Sequence, residues 1–148
     1  MLSKALGNIL AIGRCHNTYQ RQNAVDNDLV PIQNFLINCI CREPGCTADS
    51  LARRYGLHKT RVTHLLNALA EKEYIRREVS EKDARCRLLF PTQKALDVYP
   101  AIHEGFESFT GQILRGLTDE DIAQLTRITS IMKENAFRAI ENGNALEE

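Results

Sequence analysis

The sequence predicts a mainly α-helical fold with one small β-hairpin. Apolar residues recur at spacings of three and four along most of the 148 residues, which is the period of helices with one buried face. Between residues 74 and 90 the period changes to two on either side of a charged turn, which is typical of paired strands. A chain that is 43% hydrophobic and 26% charged is expected to fold compactly.

The composition excludes several classes of protein. No apolar run approaches the roughly 18 residues that a membrane span requires, and the amino terminus lacks the pattern of a secretion signal. Five cysteines, an odd number without regular spacing, favour reduced thiols over a disulfide scaffold. We therefore expect a cytoplasmic protein without a membrane partner.

The first two helices precede the polar residues of the middle of the chain. The first is predicted to continue toward Tyr19 from an apolar stripe of Leu2, Leu6, Ile9 and Leu10. The second begins near Pro31, which suits a first helical turn because the missing N–H is not needed there. It ends at the helix-breaking pair Pro44-Gly45.

Two more helices follow, joined by a tight turn. Thr47 is predicted to cap the third helix, and Gly56 ends it in a left-handed conformation. The fourth helix has an apolar face of Val62, Leu65, Leu66 and Leu69. Its opposite face is polar, without an acidic residue over three turns, and consists of Lys59, Thr60, Arg61, Thr63, His64 and Asn67. This pair is a helix-turn-helix.

The hairpin completes a winged helix-turn-helix. The segments on either side of the turn SEKDA alternate in polarity, and EKDAR forms the tip of the wing. In the second strand the alternation places Cys86, Leu88 and Phe90 on the inner face and Arg85, Arg87 and Leu89 on the outer face.

Two long helices end the chain. Thr92 is predicted to cap the first, which bends at Pro100 without stopping and carries apolar residues at Leu96, Tyr99, Ile102, Phe106, Phe109, Ile113 and Leu117. Thr118 caps the second, with three acidic residues in its first turn. Its apolar residues are Ile122, Leu125, Ile128, Met132, Ala136 and Ile140.

These elements suggest two regions. Residues 31–91 form the winged helix-turn-helix region, and residues 1–30 and 92–148 form a helical dimerisation region, because its apolar stripes exceed what one small head can cover. Residues 47–91 carry ten lysines and arginines against six acidic residues, a net charge of +4, whereas residues 92–148 carry −5. A basic module on an acidic scaffold is typical of a DNA-binding protein.

The chain resembles the MarR family of bacterial winged helix-turn-helix regulators over nearly its whole length. The resemblance is carried by Thr47 with LARRYGLHKTRVTHLLNALAEKEYIRR, by Asp83-Ala84-Arg85, by Thr92 and by GLTDEDIAQL. It implies a homodimer on a palindromic operator, more often a repressor, which a small-molecule effector or an oxidant releases from DNA. Glu73, Pro91 and Ala95 depart from the family pattern, and Glu73 is expected in a left-handed conformation where the family has Gly.

Each polar residue of the fourth helix receives an expected role on double-stranded DNA. Arg61 can read guanine through two hydrogen bonds, and Asn67 can pair with adenine. Thr60, Thr63 and His64 suit bases or phosphates, and Lys59 suits a phosphate. The alternative is a helix face that is merely solvated.

The wing residues receive their roles from the resemblance. Arg85 is expected to enter the minor groove, where a narrow A·T-rich track concentrates negative potential. Asp83 would brace the wing or an arginine, and Lys82 and Arg87 would contact phosphates. The alternative is an ordinary polar turn.

Neither a cofactor, a metal site nor an enzyme is expected, because no nucleophile elbow, glycine-rich phosphate loop or HExxH spacing occurs. Cys39 is assigned to the core, whereas Cys46 and Cys86 have nearby positive charge that can lower a thiol pKa and are redox candidates. An effector pocket is expected near Phe35, Tyr99, Ile102 and Phe106. The alternatives to a DNA-binding regulator are a winged-helix module that binds protein and a thiol-based redox sensor or enzyme.

Overall fold

The computed structural model describes residues 2–24 and 27–144. Along the chain it contains α1 (Leu2–Gln22), α2 (Pro31–Arg42), α3 (Ala48–Tyr55), α4 (Lys59–Glu71), β1 (Ile75–Val79), β2 (Arg87–Pro91), α5 (Gln93–Ile113) and α6 (Asp119–Asn144). The predicted class, mainly helical with one antiparallel hairpin, is confirmed. Residues 1, 25, 26 and 145–148 of the predicted dimerisation region lie outside the described residues, as does the side chain of Leu2.

The chain forms two compact units, Met1–Phe109 and Thr110–Glu148. The core of the first unit is built around α2, whose Leu36, Ile37 and Ile40 have no exposed surface. Buried residues from each neighbouring element complete this core: Leu51, Val62, Leu66, Leu69, Tyr74, Ile75, Leu89, Ala95 and Ile102. Burial of each large apolar side chain stabilises the fold by roughly 1.5–3 kcal/mol. The core therefore holds α3, α4 and the hairpin against one central helix.

The helix-turn-helix forms as the sequence predicts. Thr47 caps α3, and its hydroxyl accepts a hydrogen bond from the backbone N–H of Ser50 at 3.1 Å. Gly56 has φ +62°, and Leu57 N–H donates to the carbonyl of Ala52 at 3.0 Å, which closes the helix end. Because this turn is only a few residues long, the direction of α4 is set by the packing of α3.

The hairpin forms with a different inner face from the predicted one. Leu89 is buried, whereas Cys86, Leu88 and Phe90 are only partly buried, and Cys86 lies outside β2. Leu89 also pairs with Cys46 on the open side of β2, where its N–H donates to the Cys46 carbonyl at 2.8 Å. The prediction was wrong because residues 88–90 are all apolar. The sequence pattern therefore does not decide whether Leu89, or Leu88 and Phe90, face the core.

The turn between α4 and β1 contains the residue that departs from the family pattern. Glu73 has φ +62°, which confirms the expected left-handed conformation, and it is the one non-glycine residue with positive φ among those described. Its carbonyl accepts a 2.6 Å hydrogen bond from the hydroxyl of Thr92, which also caps α5 by accepting from Ala95 N–H at 3.4 Å. The turn is thus tied to the start of α5.

A polar cluster joins the loop before α2 to the base of the wing. The hydroxyl of Tyr74 donates to Asp28 Oδ1 at 2.7 Å, and the ammonium group of Lys72 lies 3.8 Å from Asp28 Oδ2. Lys94 lies over the Tyr74 ring, 4.4 Å from its centre. Burial, together with the hydrogen bond to Asp28, raises the pKa of Tyr74 to about 12. The cluster therefore fixes the position of the turn before β1 relative to the loop before α2.

Within the first unit, α1 and α5 meet through aromatic side chains. The ring of His16 lies 5.3 Å from that of Phe106 and 5.0 Å from that of Phe109. Helix α5 continues through Pro100, as predicted, but it ends at Ile113, so Leu117 is not part of it. No helix of the described residues is both long and apolar enough to cross a membrane.

The second unit consists of the end of α5, a turn and α6. Gly116 has φ +89° in the turn. Thr118 caps α6 as predicted, because its hydroxyl accepts from Asp121 N–H at 3.2 Å while Asp121 Oδ2 accepts from Thr118 N–H at 2.9 Å. Along α6, Leu125, Ile128, Met132 and Ile140 are exposed.

Candidate nucleic-acid interface

The outer face of α4 is free of contacts with the core. Its six polar residues, Lys59, Thr60, Arg61, Thr63, His64 and Asn67, are all exposed, whereas Val62, Leu66 and Leu69 on the opposite side are buried and Leu65 is partly buried. In the part of the chain that the structure describes, the guanidinium of Arg61 forms neither a hydrogen bond nor an ion pair. A helix with this outer face has the residues that the major groove requires.

The first turn of α4 is organised by local hydrogen bonds. His58 caps the helix, and its Nδ1 accepts from Thr60 N–H at 3.3 Å. The hydroxyl of Thr63 donates to the Lys59 carbonyl at 3.0 Å. Lys59 also pairs with Asp49 of α3 at 3.0 Å, an exposed ion pair that contributes little stability in water. The charge of Lys59 is therefore partly offset in the free protein, which the sequence alone did not indicate.

The third turn of α4 is connected to the wing. Arg77 Nη2 donates to Asn67 Oδ1 at 2.8 Å. Arg77 was not among the predicted site residues. The signal that could have identified it is its position in β1, since a charged residue occupies the same strand phase as buried Ile75.

The tip of the wing is held by the predicted acidic residue. Asp83 Oδ1 accepts a 2.9 Å hydrogen bond from the backbone N–H of Arg85, and the Asp83 carbonyl accepts from Cys86 N–H at 3.0 Å. These two hydrogen bonds hold the backbone of the wing turn. The Asp83 carboxylate bonds the backbone of Arg85, and among the described residues the exposed guanidinium of Arg85 takes part in no hydrogen bond or ion pair.

The other cations of the wing have different surroundings. Arg87 Nη1 donates to the carbonyl of Ala84 at 3.0 Å, which holds this side chain against the wing tip. Lys82 is exposed, and its backbone N–H donates to Ser80 Oγ at 3.3 Å. Arg76 lies over the ring of Phe90, 4.7 Å from its centre, and pairs with Glu78. Of these cations, Lys82 has an exposed ammonium group, and Arg87 is also exposed and keeps guanidinium donors that the Ala84 carbonyl does not use.

The four residues of the expected effector pocket are only partly brought together. Phe35 and Phe106 lie 5.9 Å apart by ring centres, and Ile102 is buried in the core. Tyr99 stacks on His103 at 5.4 Å. A separate cleft of about 290 Å³ lies between α2 and α3, and none of the four residues lines it; its walls are Asn38, Cys39, Arg42, Glu43, Arg54 and Tyr55.

The thiols differ in accessibility. Cys39 is buried, as predicted. Burial raises the pKa of the Cys46 thiol to about 11, and the Glu43 carboxylate adds to the rise. The expectation that positive charge lowers the pKa of Cys46 is therefore wrong, because desolvation outweighs the effect of Arg54. Cys86 is partly buried in the wing turn, where its carbonyl accepts from Ser80 N–H at 3.0 Å.

Known proteins share both the fold and parts of the sequence. Residues 32–86 match the model of the MarR family. The chain is 24% identical over 137 residues to YybA of Bacillus subtilis (strain 168), an uncharacterised HTH-type transcriptional regulator, and the match covers 93% of this chain and 91% of YybA.

Two solved structures show the same architecture. The transcriptional regulator SlyA superposes with a TM-score of 0.79 at 22% identity, with coverage of 93% of this chain and 96% of SlyA. A Listeria monocytogenes protein in complex with a 26mer DNA superposes with a TM-score of 0.72 at 23% identity, covering 91% and 87%. Residues 32–86, from the start of α2 to the wing turn, therefore resemble the MarR family in sequence, and the two superpositions show that the chain shares the fold of these solved proteins.

Proposed function

We propose that the protein is a dimeric transcriptional regulator that binds double-stranded DNA at a palindromic operator. The observation that carries the proposal is the exposed, acid-free face of α4, with Arg61 unpaired among the described residues, next to a wing whose tip presents Arg85. A helix with such a face fits the major groove, and a braced hairpin beside it reaches the neighbouring minor groove. The Listeria monocytogenes protein of the same fold was solved in complex with a 26mer DNA, which supports DNA binding.

We assign roles to individual residues from their positions. Arg61, with Thr60, Thr63 and His64 around it, is assigned to base edges in the first turns of α4. Lys59 is assigned to a phosphate, for which it would exchange its ion pair with Asp49. On the wing, Arg85 is assigned to the minor groove, and Lys82 and Arg87 to flanking phosphates.

Dimerisation is supported by apolar surface on two helices. On α1, Leu6, Ile9 and Leu10 are exposed, Leu10 by 51%. On α6, Leu125, Ile128, Met132 and Ile140 are exposed, Ile140 by 60%. Rows of large exposed apolar residues are uncommon on monomers and mark interaction surfaces. A second copy of the chain would cover both rows and place two α4 helices on the two halves of a palindrome.

We further propose that the regulator represses and that a small ligand releases it from DNA. We assign the entry of such a ligand to the aromatic contact of Phe35 and Phe106, whose ring centres lie 5.9 Å apart. Release by oxidation of Cys46 is not supported, since burial raises the pKa of its thiol and so keeps it protonated at neutral pH.

The proposal is tested by fluorescence anisotropy with genomic fragments and random duplexes at several salt concentrations. We expect operator binding at least about a thousandfold tighter than random DNA at physiological salt, with affinity that falls steeply as salt rises. Equal affinity for both kinds of DNA would contradict the proposal and favour a protein-binding role for the head. Light scattering at micromolar concentration should give twice the 16.8 kDa chain mass.

A further inference from the structure

Asn67 and Arg77 form the polar link between α4 and the wing. They lie ten residues apart, one on the third turn of α4 and the other in the middle of β1, and the Arg77 Nη2 to Asn67 Oδ1 distance is 2.8 Å. Both side chains are exposed. The bond therefore joins the two elements that are proposed to enter adjacent grooves, and both of its residues are accessible to solvent.

The two neighbouring arginines of β1 lie on opposite faces of the strand. Arg77 pairs in register with buried Leu89, on the face that adjoins α4. Arg76 pairs in register with Phe90, covers its ring and contacts Glu78 on the other face. The Glu78 carboxylate thus balances the charge of Arg76, whose guanidinium lies over the Phe90 ring. Arg77 instead contacts Asn67 of α4.

The partner of Arg77 orients the guanidinium without neutralising it. An amide oxygen carries no net charge, and among the described residues Arg77 takes part in no ion pair. A guanidinium has five N–H donors in a fixed fork, and Asn67 engages one of them. The remaining donors and the full positive charge are available to an anion that approaches the gap between helix and wing.

The position of this charge identifies the anion. When a helix lies in the major groove and a wing in the adjacent minor groove, the ridge between the two grooves is one phosphodiester strand. We propose that Arg77 binds a phosphate of that strand and that Asn67 is its positioning residue. This inference rests on the proposed function. It also replaces the expected pairing of Asn67 with adenine, because the amide oxygen that would accept from the base is engaged by Arg77.

The test compares Arg77→Gln with Arg76→Gln, a matched control one residue away on the opposite face. Binding is measured with an operator recovered by footprinting, at several salt concentrations. Arg77→Gln should weaken binding about tenfold on operator and unrelated duplex alike. It should lower the slope of log K against log salt by about 1.8, because the dimer loses one phosphate contact at each half-site. Arg76→Gln should leave the slope unchanged.

Neutral methylphosphonates placed singly along the operator backbone locate the contact. We expect one linkage in each half-site, between the major and minor grooves, whose neutralisation weakens the wild type but has no effect on Arg77→Gln. A penalty that is the same in both proteins at every linkage would overturn the inference. A wild type that shows no operator preference would instead contradict the proposed function, and the inference with it.

Asn67→Ala separates positioning from base reading and provides a second variant at an exposed site, with folding checked by circular dichroism. If Asn67 positions Arg77, this variant should weaken binding less than Arg77→Gln, reduce the methylphosphonate penalty at the same linkage and add nothing to Arg77→Gln in the double variant. Loss of preference at a single base pair, with the penalty intact, would show that Asn67 reads a base and would overturn its assignment.

Discussion

The Asp83 carboxylate accepts a 2.9 Å hydrogen bond from the backbone N–H of Arg85 and so fixes the turn at the tip of the wing. An aspartate that bonds the backbone two residues on is a common way to define a turn. The arrangement explains why an acidic residue stands in a surface proposed to face DNA. Its charge is unfavourable near phosphate, but it holds the backbone from which Arg85 projects.

Asp83→Ala and Asp83→Asn should therefore differ in DNA binding. Both remove the negative charge, but Asn keeps an oxygen that can accept from Arg85 N–H. We expect Asp83→Ala to bind an A·T-flanked operator about fivefold more weakly than Asp83→Asn, which corresponds to about 1 kcal/mol for one hydrogen bond. Competition titrations with A·T-flanked and G·C-flanked operators measure the difference. Equal affinities of the two variants would argue against a bracing role.

Replacement of the proposed base reader should relax specificity. Arg61→Gln removes the bidentate partner of guanine, so it should cost about 1–3 kcal/mol on the operator and much less on random duplex. Lys59→Gln is the matched control, because a phosphate contact weakens binding to all sequences alike. The affinities of Arg61→Gln and Lys59→Gln are measured on a set of operators that differ from the natural one by a single base pair. A uniform loss for Arg61→Gln would contradict its assignment to bases.

The left-handed turn predicts a stabilising substitution. Glu73 has φ +62°, a conformation that costs a residue with a Cβ atom about 1 kcal/mol and costs glycine nothing comparable. Glu73→Gly should therefore raise the free energy of unfolding by about 1 kcal/mol. Glu71→Gly, in the last turn of α4, should lower it by about 0.5–1 kcal/mol. Urea unfolding followed by circular dichroism distinguishes the two, and a destabilised Glu73→Gly would contradict the turn geometry.

The Tyr74 cluster predicts an alkaline transition. The pKa of Tyr74 is raised from 10.0 to about 12, so the fold favours the neutral phenol. Its stabilisation is complete below pH 10 and is lost as the pH rises through about 12. Tyr74→Phe should lower the free energy of unfolding at neutral pH by about 1 kcal/mol and remove the highest step of the phenolate absorbance titration. Tyr99→Phe, which keeps the ring stacked on His103, is the control and should keep that step.

The thiols should differ in how fast they react with a thiol reagent. Cys15 is exposed, whereas Cys39 and Cys46 are buried, and burial raises the pKa of both buried thiols. At neutral pH, Cys15 should react with a chromogenic disulfide first, and Cys39 and Cys46 only as fast as the protein opens. Mass spectrometry of quenched samples assigns the order. Reaction of Cys46 with the disulfide at the rate of Cys15, with loss of DNA binding, would revive the redox alternative.

Local features of the fold were predictable, because their causes lie within a few residues. Thr47 and Thr118 begin helices because their hydroxyls accept hydrogen bonds from the first turn. Gly56 ends one because it has no Cβ atom to oppose a left-handed conformation. Leu89 was assigned to the wrong face, since its burial depends on pairing with Cys46 across the sheet. The link between Asn67 and Arg77 and the raised pKa of Cys46 depend on which elements pack together, which no local pattern contains.

A genome-wide footprint of the purified protein tests the central claim most directly. The proposed dimer, with one α4 helix on each half-site, should protect inverted repeats whose half-site centres lie about 10 base pairs, or a multiple of this, apart. Arg61→Gln should lose these sites while keeping weak, salt-sensitive binding everywhere. Reads spread evenly over the genome, unchanged by Arg61→Gln, would contradict sequence-specific binding through α4.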